Sequence, residues 1–256
     1  MRDFTLTVYK QLLQALLEAG YSFQTVEEFI KKPVGTKTTV LRHDIDKLPE
    51  NALSIAKIEN NNGIRSSYYF RSLKPVFNTT IIKKIVELGH EFGYHYEDLS
   101  LSRGDYEIAI KHFETTLNQF KKLYPVKTIC MHGNPLSKWD NKDIWKKYEY
   151  RDFGIIAEPY FDIDFNEVFY LTDTGRRWDG DEFSVRDKVN TDSRIDDRLN
   201  FRSTMDIVSA VKHGLLPDKI MITTHPQRWD DNFLPWAREL VWQNVKNAIK
   251  KWIYVK

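Results

Sequence analysis

The chain has one cysteine, Cys130, in 256 residues. An internal disulfide and a thiolate zinc finger are both excluded. A surplus of charge is missing too: 38 Lys plus Arg face 36 Asp plus Glu, a net of +2. That balance removes the electrostatic case for a dedicated nucleic-acid binder. Long apolar runs are also absent. The opening stretch MRDFTLTVYKQLLQALLEAG is broken by Arg2, Asp3, Lys10, Gln11 and Gln14, unlike a signal peptide. Nothing approaches the length of a transmembrane helix, so the expectation is a cytoplasmic enzyme without an integral membrane segment. Repeats, low-complexity tracts and linkers are not seen.

What is present is ordinary core material, 41% hydrophobic and 14% aromatic residues, which argues against disorder. Helical spacing of Phe4, Tyr9, Leu12, Leu13, Leu16 and Leu17 opens the chain, with Gly20 as a stop. Thr25 and Glu28 have the spacing of a capping box. From there strands and helices alternate. Strands are expected at 38–43, 66–71, 91–95, 127–131, 153–157, 167–172 and 219–225. Helices are expected at 49–62, 79–89, 104–123, from Ser203 to His213, and at 234–253. Tyr106, Ile108, Ile110, Phe113, Leu117 and Phe120 are the expected buried side of the fourth long helix. Residues 173–200 read as a long polar loop, a form that is often functional in a compact domain.

Strands alternating with helices imply a mostly parallel sheet, and the number of helices favours a distorted (β/α) barrel of about seven strands. One barrel domain is expected over 1–256, with the N-terminal helices of 1–35 packed on it. In such folds chemistry gathers where strands end. The ends here carry His43-Asp44-Ile45-Asp46, Arg71, His95-Tyr96-Glu97-Asp98, His132-Gly133-Asn134-Pro135 and His225-Pro226. Four of these five ends hold a histidine, from only 7 in the chain.

Asp44 and Asp46 can divide two roles, metal ligand and proton acceptor, or be plain surface or capping aspartates before Pro49. His95, His132 and the nearby carboxylates suit Zn²⁺, Fe²⁺, Co²⁺ or Mn²⁺. His225 closes the last strand, and imidazole has the right ordinary pKa, about 6.5, for a general acid. Strand alternation points His43 away from Arg42 and Asp44, so it reads as structural. His90, at a helix C-terminus that favours imidazolium, and His112 and His213, within helices, read likewise. Cys130 reads as a small core residue. In YLTDTGRRWDG (170–180) the mix of Arg176, Trp178 and aspartates suits a sugar wall. Arg71 and Asn134, at strand ends, join it as substrate contacts. Trp236, Trp242 and Trp252 of the last helix are expected to feed the core, with a dimer contact as the alternative.

In this order the motifs resemble the polysaccharide deacetylases, the NodB-homology superfamily of carbohydrate esterases, from about residue 38 to 229. LRHDID (41–46) resembles the family's first motif, which maps Asp44 to the catalytic base and Asp46 to a metal ligand. GHEFGYHYEDLS (89–100) places His95 at the first metal histidine. ITTHP (222–226) places His225 at the general acid. GYHYED, HGNPLS, DTGRRWD and THPQRW together resemble a subgroup tied to O-antigen and other surface-glycan clusters. The resemblance implies a distorted barrel, a carbohydrate substrate, and metal-dependent removal of an N-acetyl or other N-acyl group from an amino sugar. The divalent metal is expected to be zinc, with cobalt, iron, manganese or nickel as substitutes. Two departures stand out. The second metal histidine falls at Leu99, which leaves His132, Glu97 or Asp98 as third ligand, with His132 favoured. The family's third motif, whose Arg holds the base, is missing, leaving Arg42, Arg71 or Arg176 to replace it. Two rival readings stand beside this one: another amide or formamide hydrolase on the same scaffold, and a glycan-binding relative without a metal.

Overall fold

The protein is described by a computed structural model covering residues 2–134, 137–179, 189 and 199–254, with side chains as far as Ile249. Helix α1 (Leu6–Glu18) begins at Thr5, whose hydroxyl accepts from the Val8 amide at 3.2 Å. Strand β1 (Ser22–Gln24) leads to α2 (Val26–Lys31), where Thr25 and Glu28 form the expected capping box. A cap of this kind is worth about 1 kcal/mol. Then follow β2 (Thr38–Ile45), α3 (Pro49–Asn61), β3 (Ser67–Phe70), α4 (Thr79–Glu87) and β4 (Glu91–Tyr96). The short α5 (Asp98–Leu101) precedes α6 (Tyr106–Lys121), β5 (Ile129–Met131), α7 (Pro159–Asp162) and β6 (Phe169–Thr172). The chain closes with α8 (Thr204–Lys212), β7 (Lys219–Thr224) and α9 (Phe233–Tyr254).

All strand pairs are parallel, in the order β5-β4-β3-β2-β7-β6, with β1 on the first half of β2 beside β3. Among the described residues the result is a curled, incompletely closed barrel of seven strands with helices around it. Among the described residues β5 and β6 do not pair, and on the outer side of β5 Thr128 makes a parallel bridge to Ala157, ahead of α7. That bridge is all that forms of the strand expected at 153–157. Residues 150–153 are a 3-10 turn, and Gly154 at φ +72° breaks the extended run. In α6, Ile108 is 58% exposed and Ala109 and Thr116 share the buried face with Phe113, Leu117 and Phe120, so the buried face is rotated from the expected one. Of the 173–200 loop, residues 180–188 and 190–198 lie outside the described residues.

Period-two alternation sorts every strand into a barrel face and a helix face. Along β2, Val40, Arg42 and Asp44 face inward, while Leu41, His43 and Ile45 face the helices. The helix-side core joins Tyr68, Phe70, Phe92, Tyr94 and Ile222 to α1, α3 and α6. Inside the barrel, Val40, Tyr69, Cys130 and Met221 pack together. Tyr69 fills the barrel only because Gly93 stands opposite on β4. A Cβ there would sit 2.4 Å from the tyrosine ring, too close to be accommodated. The barrel floor is thus solid, and polar side chains of the strand tops are left as its lid.

His43 is structural, as expected. Its Nε2 lies 2.7 Å from Glu59 of α3 and its Nδ1 2.7 Å from Thr224. Glu59 also accepts from Tyr9, Tyr68 and Ser66, so one buried carboxylate ties α1, α3 and β3 together. His90 departs from the imidazolium expected at a helix end. It is buried between the Ala56 carbonyl and Ser66, and burial lowers its pKa, so the neutral ring is favoured. Desolvation exceeds the helix-end attraction.

Candidate active site

Strand β2 carries Arg42 and Asp44 on adjacent inward positions. Arg42 donates from Nε at 2.8 Å and Nη2 at 2.6 Å to the two oxygens of Asp44, a bidentate pair closed over by Tyr160. Of the three arginines expected to hold the base, Arg42 is the one that touches it. Burial pushes the Asp44 carboxyl up, but Arg42, then His95 and His225, bring it down to about 2. Asp44 is therefore ionised at any physiological pH. Beyond it the chain turns tightly, the Asp46 amide donating to the Asp44 carbonyl at 3.2 Å, which brings Asp46 to the rim.

His95 enters from the end of β4 and His132 from just past β5. The Nδ1 of His95 faces the Cys130 carbonyl at 2.9 Å, leaving Nε2 aimed at the rim. Burial lowers its pKa to about 4, against the pull of Asp44, so the ring is neutral and its Nε2 lone pair free to bind. Three ligand atoms now form a triangle: Asp46 Oδ1 to His132 Nδ1 at 3.1 Å, His132 Nδ1 to His95 Nε2 at 3.3 Å, and His95 Nε2 to Asp46 Oδ1 at 3.6 Å. A tetrahedral ion with bonds of about 2.0–2.1 Å needs ligand atoms roughly 3.3–3.4 Å apart. The triangle fits. Asp46 Oδ1 is buried among these nitrogens yet has no well-directed hydrogen bond, which suits an atom made for a cation. Asp46, His95 and His132 are thus the residues able to hold a divalent ion.

The other contenders for third ligand are engaged elsewhere. Asp98 lies on the helix side, accepting from Tyr94 and His112. Glu97 is clamped at 2.7 Å by both Nε and Nη2 of Arg71, and its Oε2 is 4.0 Å from His132 Nε2. It stands beside the histidine, beyond hydrogen-bond distance, and is not part of the triangle. Leu99 is buried in the helix-side core, so no residue at that position faces the rim. Cys130 is buried as expected, but its thiol lies within 4.8 Å of Asp44 and His95 ligand atoms.

His225 follows β7 with Nε2 3.9 Å from Asp46 Oδ2. Asp173, at the end of β6, holds it from behind: His225 Nδ1 lies 2.6 Å from Oδ1, and the His225 amide donates to Oδ2 at 3.0 Å. Trp229 and Arg228 donate to the same carboxylate at 2.8 and 2.5 Å. This is an Asp–His dyad with its free nitrogen turned to the rim. Sequence reasoning placed Asp173 only among the polar groups of a loop. Its signal was its position directly after a strand.

Asp44, Asp46, His95, His132 and His225 therefore meet at one rim, with Arg71 beside them. Asn134 follows His132 in the same loop. Arg176 and Trp178 do not join them. Trp178 is 6% exposed, donates to Thr204 and packs with Phe4 and Trp229, behind Asp173. Arg176 is buried against Trp236, whose carbonyl it reaches at 2.7 Å. The expected sugar wall is instead core, because residues 174–176 fold back against α9 and Trp178 turns inward onto Phe4 and Trp229. In that helix Trp236 is half-buried and Trp242 is 51% exposed, so Trp242 is not core; the side chain of Trp252 lies outside the described residues.

No family model and no curated protein matches the chain. Among solved structures it is similar to a mutant of a CE4 family pseudoenzyme with restored enzymatic activity, at 13% identity and a TM-score of 0.42. That alignment covers 84% of this chain and 64% of the other, so the chain spans under two thirds of that protein. A family 4 carbohydrate esterase from Streptomyces lividans in complex with acetate is similar at 12% identity, TM-score 0.41, covering 85% of this chain and 89% of that one. A mutant of the peptidoglycan deacetylase PdaC from Bacillus subtilis is similar at 10% identity, TM-score 0.40, covering 86% and 98%. Among the described residues no helix is long and apolar enough to cross a membrane.

Proposed function

We propose that this protein is a metal-dependent hydrolase that removes an N-acyl group, N-acetyl in the first instance, from an amino sugar. A surface-polysaccharide or O-antigen precursor is the proposed setting, from the sequence motifs. The observation that carries the reading is the metal-sized triangle of Asp46, His95 and His132 flanked by an ionised carboxylate and an Asp-backed histidine. A divalent ion, zinc by donor set, supplies polarisation of the acyl carbonyl and a lowered pKa for water, to about 7.

The residues divide the remaining work. Asp44, fixed by Arg42, accepts the proton of the attacking water. His225 donates through Nε2 to the departing amine, while Asp173 fixes Nδ1. Glu97 and Arg71 hold the His132 side of the rim.

Elemental analysis of the purified protein, paired with acetate release from N-acetylated oligosaccharides, tests this. About one equivalent of metal and chelator-sensitive acetate release are expected. No metal at equilibrium with micromolar zinc, or no acetate from any amino sugar, overturns it.

A further inference from the structure

Helix α9 is apolar on two sides. Its inner side is spent on the chain itself: the Trp236 ring donates to the Asp3 carbonyl at 2.7 Å, the Trp236 carbonyl accepts from Arg176, and Asn247 donates to the Gly175 carbonyl at 2.9 Å. The outer side carries Leu234, Val241, Trp242, Val245 and Ile249, between 44% and 79% exposed. At about 100° per residue the five fall on one arc roughly 100° wide, and they run over about 22 Å of helix. A surface helix with its inner side docked ordinarily turns charge to water. Among the described residues Arg238 is the one charged group on this arc. At these exposures the five side chains present on the order of 600 Å² of apolar surface, the upper end of what a monomer carries, and more than the roughly 450 Å² of apolar area on each side of a standard interface.

Leu234, Arg238, Val241, Val245, Ala248 and, by sequence, Trp252 follow alternating steps of four and three along α9, the seam of a helix pair. Laid antiparallel on a copy of itself, this seam is self-complementary. Leu234 falls opposite position 252, the long Arg238 opposite the small Ala248, and Val241 opposite Val245. The same arrangement sets the acidic start of the helix, Asp230 and Asp231, at the end where the partner's sequence is basic, with Lys250 and Lys251, and it opposes the two helix dipoles. Parallel pairing puts Arg238 against Arg238 and the lysines against each other. An anionic membrane fits less well, because the arc starts at two aspartates and carries a single cation.

We propose that the outer side of α9 is a homodimer interface, on which α9 of a second copy lies antiparallel about a two-fold axis between Val241 and Val245. A two-fold contact of this kind uses the same patch on both subunits and closes on itself, so it stops at two copies. Trp242 and Ile249, one residue beyond the seam, widen the contact on one flank. The pairing is independent of what the active site hydrolyses.

Sedimentation equilibrium of the full chain at tens of micromolar tests this. The expected mass is twice the 30.4 kDa of the chain. Val241→Glu buries a carboxylate twice in each dimer and is expected to weaken association at least about tenfold. Its far-ultraviolet circular dichroism should match wild type, because position 241 is exposed in the single chain. Adding Val245→Lys to the same chain is expected to restore the dimer, since antiparallel pairing sets 241 of one copy against 245 of the other; parallel pairing would set like charge against like. A monomer at these concentrations overturns the proposal, whether the arc then binds anionic vesicles, another protein or residues 180–198 of its own chain. A dimer that Val241→Glu leaves intact overturns it too, and a loss that Val245→Lys does not repair overturns the antiparallel arrangement.

Discussion

Replacing Asp173 by Asn changes one atom and tests the core of the site. The carboxylate accepts four N–H groups: His225 Nδ1 and Arg228 Nη1 at Oδ1, the His225 amide and Trp229 Nε1 at Oδ2. An amide keeps one of these acceptor positions. With its oxygen at the Oδ1 place, its NH2 faces the His225 amide and Trp229, and two buried donors lose their acceptor. Flipped, the NH2 faces Arg228 and donates to His225 Nδ1, which holds the ring neutral with its proton on Nε2, a far weaker acid than the imidazolium. Either way the buried Arg228 loses its counter-charge, a loss of about 3–5 kcal/mol. Burial alone would raise the Asp173 pKa, but Arg228 and His225 hold it below the ordinary carboxylate range. With the folded pKa below the unfolded one, its stabilisation is full above the ordinary range and fades as pH falls through the folded value. Urea unfolding of wild type and Asp173→Asn should therefore differ most at pH 7 and converge in acid. Acetate release should fall by about 10²–10⁴ in kcat, the range of one acid–base group. An unfolding gap below about 0.5 kcal/mol at pH 7 with unaltered turnover would refute the dyad and its role.

Other outcomes follow from the same geometry. Asp46→Ala should lose bound metal, whereas His225→Ala should keep it and lose turnover; the reverse pattern in elemental analysis would reassign both. Trp178→Ala should lower stability by about 3–5 kcal/mol, the usual cost of truncating a core aromatic, because the ring is packed rather than presented. A raised KM with unchanged unfolding would restore it to the substrate wall. Burial raises Glu158 to about 7 from an ordinary 4.5, partly opposed by the Met131 amide and Arg42. The folded protein then keeps a proton the unfolded chain has lost, so stability drops as pH rises from about 4.5 through 7. Relative to Glu158→Gln, wild type should lose about 3 kcal/mol between pH 5 and 8 in urea midpoints, and a constant difference counts against it. Gly93→Ala should fail to fold, as a Cβ there meets the Tyr69 ring; a soluble variant with wild-type unfolding contradicts the packing.

Much of this protein was legible from local pattern. Period-two and period-3.6 hydrophobicity set the order of strands and helices, and the capping pair Thr25–Glu28 fixed α2. Strand parity alone separated His43, on the helix side, from Arg42 and Asp44, on the barrel side. The rule that chemistry lies where parallel strands end selected Asp44, Asp46, His95, His132 and His225, because each ends a strand that the fold must aim at one rim. Tertiary structure decided what no local pattern encodes. Whether Asp98 or His132 completes the triangle depends on which way a short helix turns after β4. The choice of Arg42 over Arg71 and Arg176 rests on parity within one strand and on Glu97 engaging Arg71. Trp178 and Arg176 both read as polar-loop residues by sequence, but Arg176 is buried by α9, more than fifty residues later, and Trp178 by Phe4, Thr204 and Trp229, all distant in sequence. The pairing of Asp173 with His225 joins the ends of two neighbouring strands, and only the strand order places those two groups within hydrogen-bond distance.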